Sequence, residues 1–182
     1  MKQKMTAKER GKKMEVLSMK KKDKINWENK VENILKSIEI TEEDFKRSRA
    51  TSLIHKKVLD AVGNEWNISR EPVMEEIGFQ MDFVGRVFPR HGKIELAMEV
   101  DIWNKPLRNW VKLLDINATT KIWIYLCREK NRAIDRIQEA RKEFRKLALL
   151  RREDKTNEVV IFMKVSGERD VKKYYLSQQN TE

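Results

Sequence analysis

The sequence contains few of the residues that mark several common classes of protein. Among its 182 residues there are one cysteine, two histidines, three prolines and six glycines. The single thiol, Cys127, cannot form an internal disulfide, and its apolar segment predicts a small core residue. Two separated histidines are too few for a zinc site or a Ser-His-Asp triad, and the scattered glycines form no phosphate loop or dinucleotide fingerprint. Disulfide scaffolds and these classes of enzyme are therefore disfavoured.

Long hydrophobic runs are also missing. The longest dense apolar stretch, residues 122–127, has the length of a strand, whereas a helix that spans a bilayer needs about 20 apolar residues. The first ten residues, MKQKMTAKER, include no apolar segment of the kind found in a secretory signal. We therefore expect a cytoplasmic protein that has no membrane partner.

Charge, by contrast, is abundant and unevenly distributed. Lys and Arg number 40 against 29 Asp and Glu, for a net charge of +11, and residues 1–24 alone hold ten basic residues against three acidic ones. A nucleic acid is the expected partner, with DNA favoured over RNA, because a basic segment attracts phosphates. A solvated tail without specific contacts explains the same composition. The tail lysines predicted to contact phosphates are Lys12, Lys13, Lys20, Lys21 and Lys22.

Hydrophobic periodicity divides the rest of the chain into an N-terminal helix, residues 25–40, and one α/β domain, residues 41–182. A meander followed by strand–helix–strand crossovers predicts a mixed sheet with helices on both faces. Gly63-Asn64 is expected to stop the first helix of the domain, which buries a stripe that includes Leu53 and Ile54. The strands are predicted at 67–74, 79–87, 93–103, 121–127 and 158–165, and the later helices at 106–115 and 131–150.

Two neighbouring strands carry the acidic residues of interest. Alternation along the strand 93–103 directs Glu99 and Asp101 to one face, about 6.7 Å apart, with the apolar residues on the other. Asp82, on a strand about 4.8 Å away, would converge with Glu99 if the register brings them opposite. Crowded carboxylates repel one another, and a hard cation such as Mg²⁺ or Mn²⁺ would relieve that repulsion. A charged outer face of a sheet explains the same pattern.

The segments Met81-Asp82-Phe83-Val84 and Met98-Glu99-Val100-Asp101 resemble the PD-(D/E)XK superfamily of restriction-endonuclease-like nucleases. The resemblance extends over residues 41–165 in topology and implies an αβββαβ core. It also implies that Asp82 and Glu99 bind Mg²⁺ while a lysine assists the attacking water. Asp101 would be a further ligand or would hold that lysine in place, and Glu65 or Glu71 would be an auxiliary acid. Enzymes of this kind often dimerise, which makes a homodimer one of the expected assemblies.

The position two residues after the second acid departs from the family's pattern, because Asp101 replaces the usual lysine. Some members of the superfamily carry this lysine on the following helix. Lys112 fits that variant, since it flanks the buried stripe at Val111, and Lys105 and Lys121 are further candidates. A surface lysine on an amphipathic helix is an equal explanation for Lys112.

Three functions therefore remain open at the level of sequence. The first is a Mg²⁺-dependent nuclease that hydrolyses phosphodiester bonds in DNA or structured nucleic acid. The second is a nucleic-acid-binding module on the same fold without catalysis, which the replacement of the lysine by Asp101 favours. The third is a basic protein-interaction subunit that docks on an acidic partner. Acidic residues within an otherwise apolar hairpin favour the nuclease.

Overall fold

The computed structural model describes residues 26–46, 50–65, 69–70, 73–74, 79–80, 83–86, 94–102, 109–151 and 158–177. Its helices are α1 (Trp27–Ser37), α2 (Glu42–Lys46), α3 (Ala50–Glu65), α4 (Asn109–Asp115) and α5 (Lys130–Arg151). Its strands are β1 (Ser69–Arg70), β2 (Val73–Met74), β3 (Phe79–Gln80), β4 (Phe83–Arg86), β5 (Ile94–Ile102), β6 (Ala118–Cys127), β7 (Val159–Val165) and β8 (Val171–Leu176).

Six of these strands form one mixed sheet in the order β1-β4-β5-β6-β7-β8, and β2 pairs with β3 in the same antiparallel register as β1 with β4. Strand β4 is antiparallel to both β1 and β5, the strands β5, β6 and β7 are parallel, and β8 is antiparallel to β7. Parallel neighbours require crossover connections, which α4 and α5 provide. The predicted α/β class, with a mixed sheet flanked by helices, is confirmed.

Helices cover both faces of the central strands β5, β6 and β7. On what we call the N-terminal face, α1 and α3 pack against Leu96, Met98 and Val100 and their neighbours on β6 and β7. On the crossover face, α4 and α5 pack against the alternate residues of the same strands. Because both faces are covered, every residue of β6 from Lys121 to Cys127 is buried.

Side-chain caps define the first helices. The side chain of Asn26 accepts a hydrogen bond from Asn29 N at 3.1 Å, which starts α1. Thr41 and Asp44 cap α2 reciprocally, since Thr41 N donates to Asp44 Oδ2 at 2.9 Å and Asp44 N donates to Thr41 Oγ1 at 3.3 Å. Lys57 of α3 donates to both oxygens of Asp44, at 2.8 and 2.7 Å. Burial by itself would raise the pKa of Asp44, but the hydrogen bonds from Lys57 and Thr41 outweigh it and hold that pKa below its usual value.

The described residues of the predicted strands 67–74 and 79–87 pair antiparallel in a single register, with Ser69 opposite Val84 and Val73 opposite Gln80, as predicted. Other predicted elements differ from the observed ones. Helix α3 runs through Gly63-Asn64 and ends at Glu65, so the predicted stop is wrong. Leu53 is 37% exposed, because it lies at the margin of the stripe that buries Ile54 on α3.

Strand β8 is not predicted by the sequence pattern, because the adjacent Lys172 and Lys173 interrupt its apolar alternation. Gly167, with a φ of 74°, permits the tight turn that returns the chain from β7. Lysines on an edge strand disfavour pairing with a further strand, and Arg141 Nε of α5 also donates to the carbonyl of Tyr175 at 3.1 Å. In the described part of the chain, no helix combines the length and apolar character needed to cross a bilayer.

Candidate functional site

The candidate site lies on the crossover face of β5, beneath α4. Glu99 and Asp101 point to this face and are 0% and 4% exposed. Their register partners on β6 are Trp123 and Tyr125. Acidic side chains on this strand face suggest a partly wet setting, and the structure corrects this, because both carboxylates are buried and are contacted by α4. Each carboxylate therefore needs a partner within the protein, since burying an unpaired charge is costly.

Glu99 is paired with Lys112 of α4. Lys112 Nζ donates to Glu99 Oε2 at 3.1 Å, and the Lys112 side chain is 31% exposed while that of Glu99 is fully buried. The lysine thus reaches an enclosed carboxylate from a position that still contacts solvent. The structure brings together two of the three residues that the sequence nominates as catalytic, one from β5 and one from the helix that follows it.

Asp101 has a different set of partners. Its Oδ1 accepts a hydrogen bond from Asn109 Nδ2 at 2.6 Å, and its Oδ2 accepts one from Trp123 Nε1 at 2.9 Å. Asn109 is the first residue of α4, so Asp101 joins β5 to the start of that helix and to β6. Asn109 and Lys112 are three residues apart, and this spacing places them on the same side of the helix.

Sequence reasoning does not identify Asn109 and Trp123 as partners of Asp101. Trp123 lies in the apolar stretch 122–127 and is 0% exposed, as expected for such a stretch, but its indole N–H also has this polar role. The signal available in the sequence was Asn109, which lies in the predicted helix 106–115, one turn before Lys112. Such a signal is weak, because an asparagine near the start of a helix is common without any distant partner.

The aromatic and thiol groups around the site remain neutral near pH 7. Trp123 stacks on Tyr125 with ring centroids 5.6 Å apart. Burial raises the pKa of the Tyr125 hydroxyl well above its usual value, and the nearby thiol of Cys127 and carboxylate of Asp101 add to this shift. Burial also raises the pKa of Cys127 to about 12. Cys127 is 1% exposed, which confirms its prediction as a core residue.

Lys121, a secondary candidate from the sequence, also lies on the crossover face. It pairs in register with Ala97 on β5, two residues before Glu99, and it is 8% exposed. Residues in these positions are diagonal neighbours across a strand pair, within reach of long side chains. Lys121 is therefore a second basic residue in the vicinity of Glu99.

The remaining nominated residues are not covered by the structure. Strand β4 begins at Phe83, which pairs with Met98. Glu65 is the last residue of α3, and its side chain is not among those described. The nominated residues outside the described ranges are Asp82, Glu71, Lys105, Lys12, Lys13, Lys20, Lys21 and Lys22.

The donor set can be tested against the requirements of Mg²⁺. Within the described ranges, no three His, Cys, Asp or Glu side chains are grouped so as to hold a metal ion. Mg²⁺ commonly uses one or two protein carboxylates and retains several waters, so Glu99 together with Asp82 would be a sufficient set. Glu99 fits as a hard oxygen ligand on the third strand of the meander, and Lys112 holds one of its oxygens. Asp101 fits less well, because both of its oxygens already accept N–H groups.

Comparisons with known proteins provide no relative. No family model, no curated protein and no solved structure matches this chain. Any function must therefore be argued from the residues of the chain and their geometry.

Proposed function

We propose that this chain is a Mg²⁺-dependent nuclease that hydrolyses phosphodiester bonds in DNA or structured nucleic acid, on a restriction-endonuclease-like αβββαβ core. The observation that carries the proposal is the pair formed by Glu99 and Lys112. A buried ion pair contributes little net stability compared with apolar residues of similar volume. A fully buried acid met at 3.1 Å by a partly exposed lysine is therefore better explained by chemistry than by stability.

The metal ligands in this proposal are Asp82 and Glu99. When bound, Mg²⁺ or Mn²⁺ supplies Lewis-acid activation of water and stabilisation of charge on the phosphate. The proposal requires the antiparallel pairing that ends at Phe83 and Met98 to continue by one residue, so that Asp82 is opposite Glu99. In that register both carboxylates would point to the crossover face. The burial of Glu99 on this face supports the proposal.

Lys112 has two roles in the proposed reaction. Its ammonium group orients the attacking water or, when neutral, accepts a proton from it, and its charge offsets the negative charge that develops on the phosphate. Its partial exposure supports these roles, because a reacting phosphate enters from solvent. Lys121 would add positive potential from the neighbouring strand.

The charge of the molecule supports a nucleic acid as the substrate. The net charge of +11 is concentrated in residues 1–24, and the long helix α5 adds basic residues on its exposed side. These charges favour the capture of a phosphate backbone without sequence preference. The exposed basic residues of α5 are Arg132, Arg136, Lys142, Arg145 and Lys146, and they are mixed with the exposed acids Asp135, Glu139 and Glu143.

One observation favours a second candidate, a nucleic-acid-binding module on the same fold that lacks catalysis. Asp101 occupies the position at which the family carries its lysine, and it is bound to Asn109 and Trp123. Lys112 in turn neutralises Glu99. A site of this kind can be stable and inactive.

A cleavage assay separates these candidates. The native chain is incubated with duplex DNA, branched DNA and RNA in the presence of Mg²⁺, Mn²⁺ or a chelator, and compared with Asp82→Ala and Glu99→Ala. We expect metal-dependent cleavage that falls at least about 100-fold in either variant, as for the loss of a group that stabilises a transition state. Glu95→Ala is the matched control, because Glu95 lies on the same strand and alternation as Glu99 but is partly exposed.

Binding measurements interpret a negative result. If the native chain cleaves no substrate with either metal but binds DNA with an affinity that falls steeply with salt, the non-catalytic candidate replaces the nuclease. If the affinity for DNA does not depend on salt, phosphate contact itself is rejected, because neutralised phosphates release counterions.

A further inference from the structure

Asp101 is buried, with 4% of its surface exposed, and both oxygens of its carboxylate accept N–H groups. Asn109 Nδ2 lies 2.6 Å from Oδ1 and Trp123 Nε1 lies 2.9 Å from Oδ2. A cation bound at these oxygens would approach the positive ends of two N–H dipoles. The arrangement therefore disfavours metal ligation and favours a role as a hydrogen-bond acceptor.

Helix α4 needs such an acceptor to define its orientation. Its described part is Asn109–Asp115, and short helices are not stable without tertiary contacts. Its apolar contacts come from Trp110, Leu113 and Leu114, but apolar burial is non-directional. The hydrogen bond from Asn109 to Asp101 is directional and lies at the N-terminal end of the described part of the helix. It thus fixes how α4 is rotated over β5.

Lys112 depends on that orientation. It lies on the same side of α4 as Asn109, one turn later, and its Nζ contacts Glu99 at 3.1 Å. Asp101 and Glu99 are themselves two residues apart on β5, a separation of about 6.7 Å. Two adjacent side chains of one strand thus bind two adjacent turns of one helix. Loss of the first contact would allow the second to shift.

We infer that Asp101 is a positioning residue, not a metal ligand, and that it holds Lys112 against Glu99 through Asn109. The inference deepens the proposed nuclease function and rests on it for the catalytic measurement. In this arrangement Asp101 occupies the position of the family's lysine and instead positions the lysine supplied by the following helix.

Three variants test this role. Asp101→Asn places an amide opposite the amide of Asn109 and removes the carboxylate. Asn109→Ala removes the helix partner and leaves Asp101 and its bond from Trp123 intact. The exchange Asp101→Asn with Asn109→Asp keeps both hydrogen bonds, because the new amide on β5 accepts from Trp123 and donates to the new carboxylate on α4. The exchange thus preserves the positioning while it removes the carboxylate from β5.

Two of the measurements do not depend on catalysis. The coupling between Glu99 and Lys112 is obtained in each background from a double-mutant cycle of Glu99→Gln and Lys112→Met in urea unfolding. Binding of Mn²⁺ is measured by electron paramagnetic resonance. We expect the coupling to be lost in Asp101→Asn and Asn109→Ala and restored in the exchange. We expect the affinity for Mn²⁺ to stay within about twofold of the native value in the exchange, since that change corresponds to only about 0.4 kcal/mol.

The catalytic measurement separates kcat from KM. Misplacement of a reacting group by about 1 Å reduces the rate about 100-fold, so we expect a loss of that order in kcat for Asn109→Ala, with KM little changed. The exchange should recover most of this loss. If Asp101 served only stability, kcat and the coupling between Glu99 and Lys112 would not recover together in the exchange.

Each contrary result overturns a defined part of the inference. Weaker binding of Mn²⁺ in the exchange would make Asp101 a ligand. An unchanged coupling in Asn109→Ala would reject positioning through Asn109, and this variant decides the question even if the exchange does not fold. If the native chain has no cleavage activity, the nuclease proposal fails, whereas the coupling measurement still decides whether Asp101 positions Lys112.

Discussion

The two faces of β5 bury their side chains equally well but by different means. On the N-terminal face, Leu96 and Met98 are 0% exposed among the apolar residues of α1 and α3. On the crossover face, Glu99 and Asp101 are buried to the same degree, but each is bound by N–H groups of α4 or β6. Apolar burial supplies stability without direction, whereas buried polar contacts add little net stability and require one geometry. The comparison therefore separates a stabilising face from a face with defined geometry.

The N-terminal face has one buried charge of its own among the described strand residues, and its surroundings differ. Lys164, at the end of β7, is 2% exposed, and its Nζ donates to the carbonyls of Glu168 and Arg169 at 3.2 and 3.5 Å. It lies beside a cavity of about 460 Å³ between the end of α1 and the β7–β8 turn. Burial lowers the pKa of this lysine, although Asp170 opposes the shift. Lys164 thus donates only to neutral carbonyls of a turn, whereas Lys112 neutralises an acid.

The largest effect is expected from an apolar truncation on the N-terminal face. Met98→Ala should lower the free energy of unfolding by about 3 kcal/mol, because it removes buried methylenes and leaves a cavity. Urea unfolding followed by tryptophan fluorescence measures this change. The coupling between Glu99 and Lys112 should be retained, since these residues lie on the other face. A parallel loss of that coupling would show that the two faces are not independent.

A smaller effect is expected when the ion pair on the crossover face is broken. Lys112→Met leaves Glu99 buried without its counter-ion and should lower the free energy of unfolding by about 2 kcal/mol. This loss is smaller than for a fully enclosed pair, because the side chain of Lys112 reaches solvent. Adding Glu99→Gln should recover most of this loss. Lys142→Met, at an exposed position of α5, is the matched control. Equal stabilities of the single and double variants would contradict the pairing.

Lys164→Met should have an effect of the opposite sign that depends on pH. The pKa of Lys164 in the folded chain lies below its ordinary value of 10.5, so the unfolded chain binds more protons between these two values. At a pH below this lowered pKa, the charged and buried lysine therefore destabilises the fold. The penalty declines as the pH rises from the lowered pKa toward 10.5. We expect the variant to be about 1 kcal/mol more stable at pH 7. The comparison with the native chain uses urea unfolding from pH 7 to 10.5, and a difference that does not decrease would contradict the assignment.

The smallest effect is expected for an exposed ion pair. Arg136 and Glu139 of α5 lie 2.8 Å apart, and both side chains are 61% exposed. Glu139→Gln should change the free energy of unfolding by less than about 0.5 kcal/mol, because solvent screens such pairs. Thermal unfolding at low and high salt checks this value. A change as large as that in Lys112→Met would remove the distinction between buried and exposed pairs.

The predictable part of this protein is the part governed by local periodicity. Alternation along β5 correctly separates Met98 from Glu99, and the apolar run at residues 121–127 correctly predicts a central strand. Strand β8 is missed because Lys172 and Lys173 interrupt its apolar alternation, although all of its residues pair with β7. Strand pairing depends on distant segments, which a local pattern does not report.

The amino-acid sequence by itself determined the α/β class, the charge of the molecule and the face of β5 to which each side chain points, because these follow from composition and from a backbone period of two. Only the tertiary structure decided which lysine reaches Glu99 and which donors bind Asp101. Those contacts join residues 8 to 22 positions apart, and they depend on where helix α4 is packed against the sheet. Packing of that kind is set by the whole core and by no single segment.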